Sequence, residues 1–271
     1  MKINRLSILF IFLVAMISPN DVEAQVMELG VTGGITYYVG DINPSIPFAQ
    51  SDYGYGASLR YYKGSRWAFR FQYSNINLAA SDAKSSFRPE RGLAFNTKVN
   101  DFALMAEFNF FDYWTGSRRS YVSPYIFGGI SYFTFDPHHP DGTSLQGIRT
   151  EGVVYDLNSF SIPFGVGVKY SIGTRIGVTL EWRLHKTFTD YIDDIHGVYP
   201  DQEMVLGDYS YSDPTANYKP GMQRGNGTAT AAFGFNCDWF NMLGLSISYK
   251  FNLPQKDNCH GGNYERYYKY Y

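Results

Sequence analysis

The sequence predicts an all-β fold: an eight-stranded antiparallel transmembrane outer-membrane β-barrel with a closed, filled lumen. Three observations predict it. Eight segments alternate apolar and polar residues at period two, as strands do when their two faces meet different surroundings. The connections between these segments alternate between short and long, which sets two kinds of rim at opposite ends. The N-terminal segment carries the marks of an export signal, and no later apolar run resembles a spanning helix. A closed barrel is the other architecture that satisfies every backbone group in lipid.

Residues 1–24 read as a signal peptide, with Lys2 and Arg5, an apolar run from Leu6 to Ile17, then Val22, Glu23 and Ala24. Cleavage is expected between Ala24 and Gln25. An anchor helix is the alternative, but about 12 apolar residues fall short of the roughly 20 that span a bilayer. No cysteine sits near the cleavage point to suggest a lipoprotein. The barrel is expected over residues 25–251 and a periplasmic tail over 252–271.

The strands are read at Leu29 to Tyr38, Tyr53 to Tyr62, Trp67 to Asn75, Asp101 to Phe110, Pro124 to Phe135, Phe160 to Tyr170, Arg175 to Lys186 and Leu243 to Phe251. The third shows the pattern most cleanly. Trp67, Phe69, Phe71 and Tyr73 share one face, while Ala68, Arg70, Gln72 and Ser74 share the other. The fifth is apolar on both faces. Connections at 63–66, 112–120 and 171–174 are short, whereas those near 39–52, 76–100, 136–159 and 187–242 are long. In an outer-membrane barrel the short turns are periplasmic, so both termini belong in the periplasm and the long loops outside.

A soluble barrel would also alternate, with its apolar stripe facing inward and a face rich in Lys, Glu and Asp toward water. Here the polar face is mostly Gly, Ser, Thr and Ala, with isolated charges at Arg70, Glu107, Lys169, Glu181, Arg183 and Lys250. That suits a narrow lumen in which Glu181 and Arg183 pair with Arg70, Glu107 and Lys169. The apolar stripe then faces lipid, with Trp67, Tyr73, Tyr170, Trp182, Phe188 and Tyr191 expected at the interfacial aromatic girdles.

Composition narrows the function. Charge is balanced, with 23 Lys plus Arg against 25 Asp plus Glu, and no basic block stands out, which argues against an electrostatic nucleic-acid binder or a general anionic-lipid binder. Asp190, Asp193 and Asp194, with Asp41 in another loop, offer oxygens of the kind calcium takes, but they lack EF-hand spacing. Solvated or loop-capping aspartates are the expectation. His138 and His139 lack a third metal ligand at a recognisable spacing. His185 is expected as a polar rim histidine, and no Gly-x-Ser-x-Gly, phosphate loop or dinucleotide fingerprint accompanies it. The expectation is a protein without catalytic residues, metal, cofactor or small-molecule substrate, in contact with outer-membrane lipid.

Three segments carry a resemblance: Tyr37-Tyr38-Val39-Gly40-Asp41-Ile42-Asn43-Pro44, Lys186-Thr187-Phe188-Thr189-Asp190-Tyr191-Ile192-Asp193-Asp194 and Gly244-Leu245-Ser246-Ile247-Ser248-Tyr249-Lys250-Phe251. With Ser161 to Gly167 and Gln223-Arg224-Gly225, the chain resembles the PorG-type outer-membrane barrels of Bacteroidetes type IX secretion. The middle segment is the most specific, and the last is common to many barrels. The resemblance implies a small non-enzymatic barrel that associates with the periplasmic ring of a secretion lipoprotein and its partner subunit, while cargo passes through a different, larger barrel. It also implies that members can be linked to the ring lipoprotein by a disulfide. On that reading Cys259, in the periplasmic tail, is the candidate, with a free thiol as the alternative. Cys237 falls on the long-loop side and is read as a buried or loop thiol. The Tyr-rich tail after Asn252 is read as a disordered terminus or a docking peptide. Two other functions stay open: a general barrel for adhesion or envelope integrity, and a lipid-modifying barrel enzyme.

Overall fold

The computed structural model describes residues 26–44, 46–225 and 237–252. The strands are β1 (Val26–Val39), β2 (Ser51–Lys63), β3 (Trp67–Ser81), β4 (Ala94–Asn109), β5 (Val122–His138), β6 (Asn158–Ile172), β7 (Ile176–Thr187) and β8 (Trp239–Asn252). Each pairs antiparallel with its neighbour in sequence, and β8 closes on β1, so no sheet edge is left open. Signal cleavage at Ala24 and Gln25, and the tail with Cys259, lie outside the described residues.

The eight strands and their closure agree with the sequence reading, but the long loop expected near 76–100 shrinks to 82–93 and the one near 136–159 is trimmed to 139–157. β3 runs on to Ser81, β4 begins at Ala94 and β5 continues to His138. The cause is a reversal of polarity within single strands. Up to Ser74, β3 turns Trp67, Phe69, Phe71 and Tyr73 outward and buries Arg70, Gln72 and Ser74. Beyond it, Asn75 and Asn77 face out while Ile76, Leu78 and Ala80 are buried. β4 repeats the change, with Phe102 and Leu104 outward but Lys98 and Asn100 on the same face further along, and Phe95 and Val99 buried. In β5 the change falls between Tyr132, exposed outside, and Phe133 and Phe135, buried inside.

Length accounts for the two zones. A tilted membrane strand needs about 9–11 residues, whereas β3, β4 and β5 have 15, 16 and 17. The surplus stands above the apolar belt at the long-loop end and packs like a soluble protein. Its inner wall, with Ile42, Leu145, Ile192, Ile195 and Phe240, forms one hydrophobic cluster under the folded long loops. These loops make a cap.

The short-turn end is closed differently. Two turns are tight, at 64–66 and 173–175, but residues 110–121 form a lid over the mouth. Tyr113 and Thr115 of this lid are buried, Lys250 Nζ donates to the Thr115 carbonyl at 2.6 Å, and the Thr115 hydroxyl donates to Glu28. Inside the barrel, glycines on β6 admit the rings of β5. A Cβ on Gly165 would lie 2.1 Å from the Trp182 carbonyl oxygen and 2.8 Å from the Phe127 ring.

Candidate functional site in the lumen and the cap

Alternation on β1, β2, β3, β4, β6 and β7 points every second side chain into the lumen, where eight strands leave room only for side chains. There the charges form an alternating chain. Arg60 meets Glu28 at 3.0 Å and Glu107 at 2.9 Å; Arg70 meets Glu107 at 2.8 Å and Glu181 at 2.6 Å. Arg183 pairs with Glu181, and Lys169 branches from Glu107 at 2.5 Å. All seven side chains are buried. The Nε contacts of Arg60 and Arg70 with Glu107 are ion contacts rather than aligned hydrogen bonds. Tyr125 donates to Glu181 at 2.7 Å, and the Lys169 ammonium lies 4.4 Å from the Tyr125 ring centre.

The five charges picked out by sequence, Arg70, Glu107, Lys169, Glu181 and Arg183, therefore stand together. Sequence reasoning missed Glu28 and Arg60, although both occupy the inward parity of their strands and face each other in register. Tyr125 was missed because β5 is apolar on both faces.

The outward aromatics mark two levels. Tyr73, Phe102, Tyr132 and Phe160 are successive partners across β3, β4, β5 and β6, forming a row at the polarity reversal. Phe188, exposed, donates its amide to the Phe160 carbonyl and extends that row. Trp67, 5.1 Å from Phe108, and Tyr170, edge-on to Tyr121, lie at the short-turn end. Trp182 faces outward on β7 and donates to the Tyr37 hydroxyl at 2.9 Å. Tyr191 departs from the expectation: it stacks on Tyr155 at 4.2 Å inside the cap, because its loop folds over the barrel mouth instead of along the lipid face.

At the cap base the first two resemblance segments meet. The Tyr38 hydroxyl donates to Asp193 at 2.5 Å, approaches Asp238 at 2.8 Å and accepts the Asp41 amide at 2.7 Å. Arg91 holds Asp82 with two contacts and donates to the carbonyls of Asp41 and Arg224. Arg224 in turn donates to the Asp194 carbonyl at 2.7 Å and to Glu151 at 3.2 Å. Asp194 accepts from Thr150 and Tyr155. Asp193 and Asp194 are thus buried structural acceptors, not solvated loop residues, because the loop tucks them beneath the cap. Burial pushes Asp194 up to about 6, against the pull of Arg224, and burial likewise raises Asp190 to about 6. Burial and neighbouring carboxylates hold Asp193 and Asp238 well above the usual range. Among the described residues no three His, Cys, Asp or Glu side chains are arranged to hold a metal.

His185 is also displaced from the expected polar rim. It is fully buried, stacked on Phe240 at 4.2 Å, because β7 stays in the barrel past it. Ser161 Oγ and Asp101 both approach its Nδ1, at 3.2 and 3.8 Å. A nucleophile and its orienting acid would need opposite ring nitrogens. Cys237 is a half-buried free thiol just before β8, raised by burial.

A lipid-facing apolar belt around an ion-paired, water-excluding interior defines an outer-membrane-type β-barrel. The chain belongs to the family described as Domain of unknown function (DUF6089), which matches residues 7–260. No curated protein matches it. Among solved structures it is similar to the outer membrane protein OprG from Pseudomonas aeruginosa, with 12% identity, 85% of this chain and 97% of that chain covered, and a TM-score of 0.42. It is also similar to Ail, the attachment invasion locus protein of Yersinia pestis, solved with the heparin analogue sucrose octasulfate (10% identity, 85% and 100% covered, TM-score 0.41). A third is a major outer membrane protein from Thermus thermophilus (13% identity, 84% and 100% covered, TM-score 0.41). Likeness of this degree says nothing of activity.

Proposed function

We propose that this chain is a non-enzymatic outer-membrane component of the type IX protein secretion machinery, anchoring the periplasmic ring of a lipoprotein and its partner subunit to the outer membrane. The observation that carries the reading is the convergence of resemblance segments. Buried contacts of Tyr38, Arg91 and Arg224 join residues 37–44, 186–194 and 223–225 at the cap base. In this reading the termini and short turns are periplasmic and the long loops extracellular. The lumen is filled by ion pairs and its mouth covered by the 110–121 lid, so the barrel acts by holding, not by conducting. The buried, single-sided contacts of His185 favour a role without catalysis over a lipid-modifying one.

Purification of the full chain from its native membrane in mild detergent should bring down the ring lipoprotein and its partner. Non-reducing electrophoresis should show a heterodimer that Cys259→Ser abolishes if the thiol forms the link. Absence of both ring subunits would overturn the reading. An adhesion or envelope barrel is the second reading, favoured by exposed Val153, Val154, Met204 and Leu206 on the cap. Loss of surface binding, with secretion unchanged on deletion, would establish it.

A further inference from the structure

Charge is distributed unevenly along the barrel axis. Lumen charges are paired, and acidic side chains predominate in the long loops, whereas among the described residues the short-turn rim carries Lys63, Arg66, Arg118, Arg119 and Arg175 against Asp112. These charges are spread over all three short connections: Arg66 lies on the β2–β3 turn, Arg118 and Arg119 on the lid, and Arg175 on the β6–β7 turn. Their depth is set by aromatics. Arg66 precedes Trp67, and Lys63 pairs with Trp67 in register. Arg175 donates to the Tyr249 hydroxyl at 2.7 Å and lies over its ring, while Arg119 is two residues from exposed Tyr121. Interfacial aromatics sit at headgroup level, so the cations beside them stand at the depth of lipid phosphates.

We propose that the short-turn rim is a binding collar for anionic phospholipid headgroups of the facing leaflet. Arg66 is already oriented by Asp112 at 2.8 Å and the Phe110 carbonyl at 2.6 Å, and Arg175 by Tyr249, so little side-chain freedom remains to be lost when a phosphate arrives. Arg118 and Arg119 are exposed on a lid whose Tyr113 and Thr115 are buried in the barrel mouth, which holds them at the same level. A collar spread over all the short turns fits annular lipid better than a protein partner, which would cover one sector. The inference goes beyond the anchoring role and shares with it only the barrel.

The test uses the full chain refolded into phosphatidylcholine vesicles containing phosphatidylglycerol, with one lipid or the other brominated, and reads tryptophan quenching. Phosphatidylglycerol should quench with an apparent preference of about fivefold at low salt. The preference should fall toward one as salt shortens the screening length to about 3 Å at 1 M. It should also fall in the combined Arg66→Gln, Arg118→Gln, Arg119→Gln and Arg175→Gln variant, whose heat-modifiable gel shift reports folding. If that variant does not refold, the salt series on the unaltered chain decides alone. Equal quenching at low salt overturns the collar and leaves the basic rim to an acidic protein surface; a preference indifferent to salt overturns it too.

Discussion

The Tyr38 hydroxyl joins three chain segments at the cap base, touching Asp193, Asp238 and the Asp41 amide. Removing it leaves buried polar groups without that partner, each costing about 1–3 kcal/mol. Tyr38→Phe keeps the ring packed edge-on against Phe95 at 5.0 Å, so the loss is polar rather than steric. The cap should open more easily by about 2 kcal/mol, read as faster amide exchange at Ile192 and Ile195 with the barrel strands unchanged. Glu107 occupies the matching place in the lumen, where three cations converge on one carboxylate. Glu107→Gln leaves Lys169, Arg60 and Arg70 short of an anion, and the loss should be about 3–5 kcal/mol. Adding Lys169→Met to Glu107→Gln should recover part of it, because the net charge of the lumen cluster returns to that of the unaltered chain. Urea unfolding in detergent micelles checks both variants; equal losses in the single and double variants would refute the coupling.

At the scale of the element, β3 shows what alternation reveals and what it hides. Its first half was legible, because Trp67 to Ser74 alternates cleanly and only a membrane or a second sheet accepts such a stripe. Its second half was not, because at Ser74 and Asn75 the apolar parity changes sides and the pattern reads as an end. The same break hid the starts and ends of β4 and β5, and with them the cluster of Leu78, Phe95, Val99 and Phe135. Parity did place Arg70, Glu107, Lys169, Glu181 and Arg183 on one surface. It could not show that loops distant in sequence bring Asp193 to Tyr38 and Arg224 to Asp194, since loop contacts follow no period. The break also yields a depth prediction. In a background without Cys237 and Cys259, Asn77→Cys should react with a membrane-impermeant maleimide from the long-loop side, while Phe71→Cys, lower on the same outward face, should resist. Equal labelling of both in intact vesicles would contradict the proposed boundary between Tyr73 and Asn75.

For the molecule as a whole, the barrel and its cap are held by opposite means, and pH separates them. In the cap, burial lifts Asp190 and Asp194 to about 6 and Asp193 and Asp238 higher still. A carboxyl whose folded value lies above its unfolded one binds its proton more tightly when folded. Its contribution is fully present below the unfolded value near 4 and is lost as pH rises through the folded value. The cap should therefore be tightest below about pH 4 and loosen between about pH 4 and 6 as Asp190 and Asp194 ionise. Arg224 faces Asp194, although it is shared with Glu151, and His196 pairs with Asp190 at 2.8 Å, so the ionised cap keeps partial compensation and stays folded. Hydrogen exchange at pH 5 and pH 8, corrected for the intrinsic rate, should show a roughly tenfold rise in opening at residues 188–196. Strand amides of β3 and β4 below the reversal should not change, because the lipid belt and the closed ladder hold them. A uniform response in both regions would mean that cap and barrel open as one unit. Asp194→Asn, which carries no charge at either pH, should reduce the cap response, leaving the share of Asp190, and should leave the strands as they were.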